Sequence, residues 1–330
     1  MSGADEPALR VGIVEAGPVA AHGVHGARRG RVAAVFERSA YLEIEWAPAA
    51  ASPREVAAQE RSILVCVGGQ ALKSGPLNAL IASPGAARTW LASVSQGERV
   101  AAAGGRVRVG RTELDFRAAR PWQPVRAALP VDAARLAAGV AQLRSEAAAR
   151  IPDEGLGFLV LGAQRNGPRM RVPGRGGVGA DALTAAGCAG ARALHAWVAH
   201  GAAVDRRSVP HVLGDLVGLG PGLTPSGDDF IGGALVALHV LGHDAAARAL
   251  AAWIVPLANR ATHPVSAAHV RAAAAGLGSD ALHRCLAALA EGRACMDSLD
   301  ALAGTGHTSG WDALAGAVSV AAALGASPKG

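Results

Sequence analysis

Side-chain poverty constrains this chain more than any other feature: 78 of its 330 residues are Ala and 43 are Gly. Elements built from such residues bury little apolar area per position. A core must therefore come from backbone packed closely on backbone, which helices achieve when small residues line their facing sides. Hydrophobic residues still make up 51% and charged residues only 18%, the balance of a compact globular protein and not of a disordered one. A chain this long is expected to divide into two domains. No apolar run reaches the roughly 18 residues that would span a bilayer. The first ten residues lack the basic start and apolar stretch of a signal peptide. The expectation is a soluble, cytoplasmic protein with no membrane partner.

The formal charge of +6 raises the question of nucleic acid, but the charge is spread out. Residues 1–125 carry 15 basic and 11 acidic side chains, and residues 126–330 carry 17 and 15, so neither half is an electrostatic arm. Thirty of the 32 basic residues are Arg, and their densest groups are not interleaved with the aromatics of a stacking platform. Nucleic acid is therefore excluded as a partner, while Arg165, Arg169, Arg171 and Arg175 could together hold an anion. Cys66, Cys188, Cys285 and Cys295 form no CxxC pair and no secreted-type framework, so reduced, buried thiols are expected.

The residue pattern changes along the chain. Val32–Glu37 and the strictly alternating Tyr41–Trp46 read as strands joined by a hairpin at Arg38–Ala40. Ser62–Val67, Arg99–Val100, Arg106–Val109 and Glu113–Phe116 continue the theme. After Pro121, Pro124 and Pro130 the segments become long and rich in Ala and Leu. Helices are expected at 131–150, 181–203, 228–241, 244–258, 264–275, 279–291 and 311–324, with an isolated strand at Leu156–Leu161. The predicted fold class is α+β: a small mainly-β domain over residues 1–125, then a larger mainly-α domain over 126–330.

The stretch from Gly218 to Gly233, GLGPGLTPSGDDFIGG, is the most informative. Its glycines and prolines impose an irregular backbone, and Ser226 stands three residues before Asp229 in a capping-box arrangement with Asp in place of Glu. A loop of this kind ending at a helix start offers free N–H groups and the positive end of the helix dipole to an anion. The plainer alternative is an ordinary capped helix. However, a cap needs one Ser or Asp, whereas this loop contains several restricted residues and two adjacent carboxylates.

A second segment repeats the first. Ser226–Leu235 and Ser309–Val318 align without a gap, pairing Ser226 with Ser309, Gly227 with Gly310, Asp229 with Asp312 and Gly233 with Gly316. Thr224 and Thr308 precede the two segments. Each Asp shares a helix face with the Gly four residues on, so the two helices are expected to cross closely and bring both Ser-Gly ends into one cleft. The competing view is two unrelated capped helices.

Asp228, Asp229 and Asp312 suit three tasks equally: ligating Mg²⁺, capping their own helices, or orienting the N–H groups of an amide-like substrate. No metal site is assigned, and Mg²⁺ stays open as a cofactor. His307 beside Thr308 is a candidate general acid or hydrogen-bond donor. Arg260, Thr262 and Ser266 precede another helix and are candidate anion ligands. Gly220, Gly222, Thr224, Ser226, Gly227, Thr308, Ser309 and Gly310 complete the candidate binding set. The GxGxxG match at 174–179 is ten residues from its nearest strand candidate, and Gly68–Ser74 lacks the Gly that a P-loop needs before Lys73. His239 and His243 have helical zinc-ligand spacing but no third ligand motif.

The GLGPGLTPSGDD block at Gly218–Asp229 and the block Gly306-His-Thr-Ser-Gly-Trp-Asp312 resemble the signature of the AllH-type subunit family of oxamate carbamoyltransferase. A looser third block is matched by Thr262, Ser266 and the Ala-rich helix that follows. The resemblance spans roughly residues 205–320. It implies a part in allantoin or related purine catabolism, in which a multi-subunit enzyme exchanges a carbamoyl group among oxalurate, phosphate, oxamate and carbamoyl phosphate. It also implies other carbamoyltransferase subunits, or further copies of this chain, as partners. The competing function is a non-catalytic anion-binding or scaffolding subunit.

Overall fold

A computed structural model describes residues 9–45, 62–69, 72–162, 178–202 and 208–326. The Arg165–Arg175 group lies outside these residues. The chain divides into two compact units, Met1–Gln123 and Pro124–Gly330.

The first unit is a closed β-barrel. Its elements are β1 (Leu9–Ala16), α1 (Pro18–Gly23), β2 (Arg28–Val35), β3 (Ser39–Glu45), β4 (Ser62–Gly68), β5 (Asn78–Ile81), α2 (Pro84–Ser93), β6 (Arg99–Ala103), β7 (Arg106–Val109), β8 (Thr112–Asp115) and β9 (Arg120–Pro121). The strand order is β5-β4-β3-β2-β6-β7-β8-β1-β9, and pairing of β1 with β5 closes the ring. The alternation read from Tyr41 onward holds through the described part of the stretch: Ala40, Leu42 and Ile44 of β3 are fully buried while Tyr41 and Glu43 are not. Inward side chains such as Val32, Val65, Ile81, Val107 and Leu114 fill the interior, as a small barrel requires. Burial pushes the Cys66 thiol in β4 up to about 11. β1 and β5, absent from the sequence expectations, are the strands that close the barrel. The closing pair shifts register between Ile13 and Glu15, an irregularity that local patterning does not announce.

The second unit is helical: α3 (Ala133–Ala147), a 3₁₀ turn at Gly157–Leu161, α4 (Val178–Ala199), a 3₁₀ turn at His211–Leu216, α5 (Ser226–Val240), α6 (Asp244–Ala261), α7 (Pro264–Ala274), α8 (Asp280–Ala290), α9 (Met296–Ala303) and α10 (Ser309–Ala326). Among the described residues no helix is long and apolar enough to cross a membrane. The strand expected at Leu156–Leu161 is instead the first 3₁₀ turn. Leu156, Leu159 and Val160 are buried in the helical core, and a short apolar run cannot by itself be told from a buried helical turn.

The unit is built around α5 and α10, which are buried along most of their length. A Cβ at Gly233 would lie 1.8 Å from the carbonyl oxygen of Ala313, and one at Gly316 would lie 1.8 Å from that of Phe230. The two backbones thus touch reciprocally at the two glycines paired by the repeat. α3 and α4 pack on the outer side of α10, and α6 and α7 on that of α5.

Since a carbonyl cannot move aside as a flexible side chain can, Gly316→Ala is expected to lower stability by about 3 kcal/mol. Gly232→Ala is the control, because the nearest atom to its Cβ is the Ala273 methyl at 3.8 Å. It should be neutral or stabilising by up to about 1 kcal/mol, since Ala exceeds Gly in helix propensity. Urea unfolding of the two variants measures the difference.

Candidate functional site

The heads of α5 and α10 are built alike. Each helix follows a short helical segment and has a glycine as its second residue, Gly227 or Gly310. A Cβ at Gly227 would meet the Leu216 carbonyl oxygen at 1.9 Å, and one at Gly310 would meet that of Leu302 at 2.0 Å. The first bond of each helix that spans four residues forms at the paired Asp: Asp229 N–H donates to the Pro225 carbonyl (3.1 Å), which Asp228 N–H also reaches (2.9 Å), and Asp312 N–H to that of Thr308 (2.9 Å).

The capping box is not formed. Pro225 occupies the cap of α5, no side chain caps this end, and Ser226 lies inside the first turn, buried. The Ser226 hydroxyl is directed across to Asp312, and the Ser309 hydroxyl across to Asp229. Thr224 Oγ1 and Ser309 Oγ share a hydrogen bond of 3.0 Å. Hydroxyls and carboxyls of the two heads therefore interlock crosswise, and Asp229 and Asp312 belong to one cluster.

Both carboxyls are pushed above the ordinary range. For Asp229 the dominant cause is burial, and the nearby charges of Asp312 and Asp228 add to it. The hydroxyls of Ser309 and Thr224 pull the other way without cancelling the shift. Asp312 is raised mainly by burial, against hydrogen bonds from the N–H groups of Leu156 and Gly157 and the hydroxyls of Thr308 and Ser226. Leu156 N–H donates to Asp312 Oδ1 at 2.5 Å. In both carboxyls Oδ2 is shut off from solvent and has no well-formed hydrogen bond among the described residues. None of the ion pairs among the described residues involves either Asp.

Asp228 is placed differently. It is 2% exposed, and Oδ1 accepts from Gly218 N–H at 2.8 Å. Its Oδ2 accepts from Ser266 Oγ at 2.7 Å and from Thr262 Oγ1. It ties the glycine loop to the α6–α7 junction, so Thr262 and Ser266 serve this anchor. Arg260 is exposed in the last turn of α6, two residues before Thr262. In the loop, a Cβ at Gly220 (φ +123) would lie 2.7 Å from the Ser226 nitrogen, whereas Gly222 is exposed with open space around it. His307 is exposed and pairs with Glu154 through Nε2 at 2.9 Å. His239, one of the two His at zinc-ligand spacing, contacts Asp244 and the Ala274 carbonyl through its two ring nitrogens. Among the described residues no group of three or more His, Cys, Asp or Glu is arranged to hold a metal ion.

One contributor was invisible in the sequence. The segment Glu154–Gly157 lies over the head of α10, where a Cβ at Gly155 (φ +77) would be 2.6 Å from Asp312 Oδ1 and 2.9 Å from Thr308 Cβ. Its only local signal is a glycine before an apolar run, and the partners are some 150 residues away.

The fold and site define a two-unit protein, β-barrel and helical, whose helical unit centres on a duplicated Gly/Ser/Asp helix head. Residues 216–321 match the family model described as oxamate carbamoyltransferase subunit AllH. The match covers both heads and the α6–α7 junction between them, and it bears out the resemblance read from the two motifs. No curated protein and no solved structure matches the chain.

Two outcomes are expected. Asp228→Ala leaves three donors without their acceptor and should cost about 3 kcal/mol or more of stability, read by denaturant unfolding. The second concerns pH. Unfolding returns Asp229 and Asp312 to about 4. Above that pH the folded state holds more protons than the unfolded one, so the stability of the protonated pair is full below about pH 4. It is lost as pH rises through the raised folded values. Asp229→Asn combined with Asp312→Asn should flatten the fall of the urea midpoint between pH 4 and 8, and an unchanged slope would show the carboxyls to be unperturbed.

Proposed function

We propose that this chain is a subunit of a carbamoyltransferase-type enzyme and binds a small anionic, amide-bearing substrate at the heads of α5 and α10. The observation that carries the reading is the crosswise Ser226–Asp312 and Ser309–Asp229 cluster, with one buried carboxyl oxygen on each side lacking a partner, inside the segment that matches the AllH family. Buried polar atoms in folded proteins are nearly always paired, so an unpaired one calls for an explanation, and a bound substrate is one.

In the reaction implied by the family, the carbamoyl C–N bond of oxalurate breaks and a C–O bond to phosphate forms. The oxamate nitrogen takes up a proton as it leaves. Each small molecule in this exchange except phosphate joins an amide to a carboxylate or phosphate. The exposed backbone at Gly222, next to Gly220, suits the anionic end, and the Asp pair suits the amide. A proton retained by the pair reduces the negative charge that an incoming anion meets. Asp228, fully hydrogen-bonded, acts as a positioning residue for the glycine loop, with Thr262 and Ser266 as its donors. Ser226, Thr224, Thr308 and Ser309 orient the two carboxyls. Catalysis would rest on positioning and on electrostatic stabilisation of developing negative charge by the two helix starts. His307, exposed and paired with Glu154 through Nε2, would serve as a proton donor to a substrate oxygen on exchanging that partner.

Thermal unfolding of the full chain, alone and co-purified with partner subunits, tests this in the presence of carbamoyl phosphate, oxamate and oxalurate. Binding at a hundredfold excess over Kd raises stability by about 2.7 kcal/mol. A shift with at least one of them is expected. No shift with any of them, alone or in complex, overturns the reading in favour of a scaffolding subunit.

A further inference from the structure

We propose that the two hydrogens of the substrate's primary amide are donated one each to Oδ2 of Asp229 and Oδ2 of Asp312, so that the site selects a carbamoyl group by its NH₂. The proposal deepens the functional reading above and rests on it.

Three features of the cluster support it. Each of the two long helices contributes one buried carboxyl oxygen without a partner: Asp312 is 0% exposed as a residue, and Asp229 Oδ2 is closed off from solvent. The donors nearest to hand are already committed. Thr224 and Ser309 bond each other and are already directed to Asp229, the Ser226 hydroxyl is directed to Asp312, and the N–H groups of Leu156 and Gly157 are taken up by the same carboxyl. No cation serves the pair either, since among the described residues no Lys, Arg or His forms an ion pair with Asp229 or Asp312, and His307 is engaged with Glu154. The missing donors must come from outside the cluster. A primary amide nitrogen carries two hydrogens in one plane and accepts nothing, matching two acceptors on opposite helices. A site built to take an N–H group rejects an analogue that lacks it.

Methyl-for-amino isosteres test the idea directly. Acetyl phosphate replaces the NH₂ of carbamoyl phosphate by CH₃, and pyruvate does the same for oxamate. Calorimetric titration of the full chain, in the form in which the thermal test detects binding, is expected to give the amino member of each pair a Kd lower by roughly 100-fold or more. Asp229→Asn and Asp312→Asn, each checked for an unchanged far-ultraviolet spectrum and cooperative unfolding, should bring both ratios close to one. Ratios near one in the unsubstituted chain overturn the proposal without recourse to any variant and leave the functional reading standing. Ratios that stay high in folded Asn variants also overturn it, by assigning the amide to other groups. If Mg²⁺ alone raises the unfolding temperature and abolishes the discrimination, the two oxygens belong to a cation. If no member of either pair binds, the functional reading fails and takes this inference with it.

Discussion

Two backbones pass each other at Gly233 and Gly316 with no room for a single methyl group, and the helical unit is arranged around that crossing. Close approach explains how a chain so poor in large side chains forms a core. Main-chain atoms of α5 and α10 supply contacts that Leu and Phe supply elsewhere, and the outer helices then cover a nearly continuous apolar pair. The same contact sets the register of everything toward the N-terminal ends. One turn before each glycine stands an Asp, and three residues before each Asp a Ser, so locking the glycines together brings the two Ser-x-x-Asp heads face to face.

What results is an interlocked pair and not two capped helices. Each Ser serves the carboxyl of the opposite helix, which leaves the helix ends to backbone and proline and leaves the carboxyls short of donors. Desolvation without full compensation raises both pKa values, a condition that ordinary structural ion pairs avoid. Asp228, one residue away, shows the contrast: three donors satisfy it, and it holds the glycine loop to the α6–α7 junction. Adjacent carboxylates of identical chemistry thus have opposite surroundings, one anchoring the loop and the other left with a free acceptor.

Legibility in the sequence followed the range of the interaction. The alternation of β3 and the Ala/Leu periodicity of the later helices are local, and both the α+β class and most helix positions were readable from them. The gapless Ser226/Ser309 repeat was local as well and pointed to the crossing. The capping box was misread because Ser-x-x-Asp has two uses: a cap bonds its own turn, whereas here the hydroxyl finds a better partner across the crossing. Leu156–Leu161 looked like a strand because apolar content without period is ambiguous, and burial in the helical core decided for a turn. β1 and β5 escaped notice because their role, closing the barrel, exists only when distant strands meet.

The sequence by itself determined the α+β class with its β part ahead of its helical part, the closeness of α5 and α10, and which residues stand at their heads, because these depend on side-chain size and spacing along one chain. Only the tertiary structure decided what those residues contact. The segment over Asp312 arrives from about 150 residues upstream, the two hydroxyl donors to Asp228 from more than 30 residues downstream, and Ser226 turns away from its own helix. Hydrogen-bond partners of buried polar atoms are set by which surfaces the fold presses together. Spacing within a motif therefore says that a carboxyl is present, and only the packed molecule says whether it is satisfied.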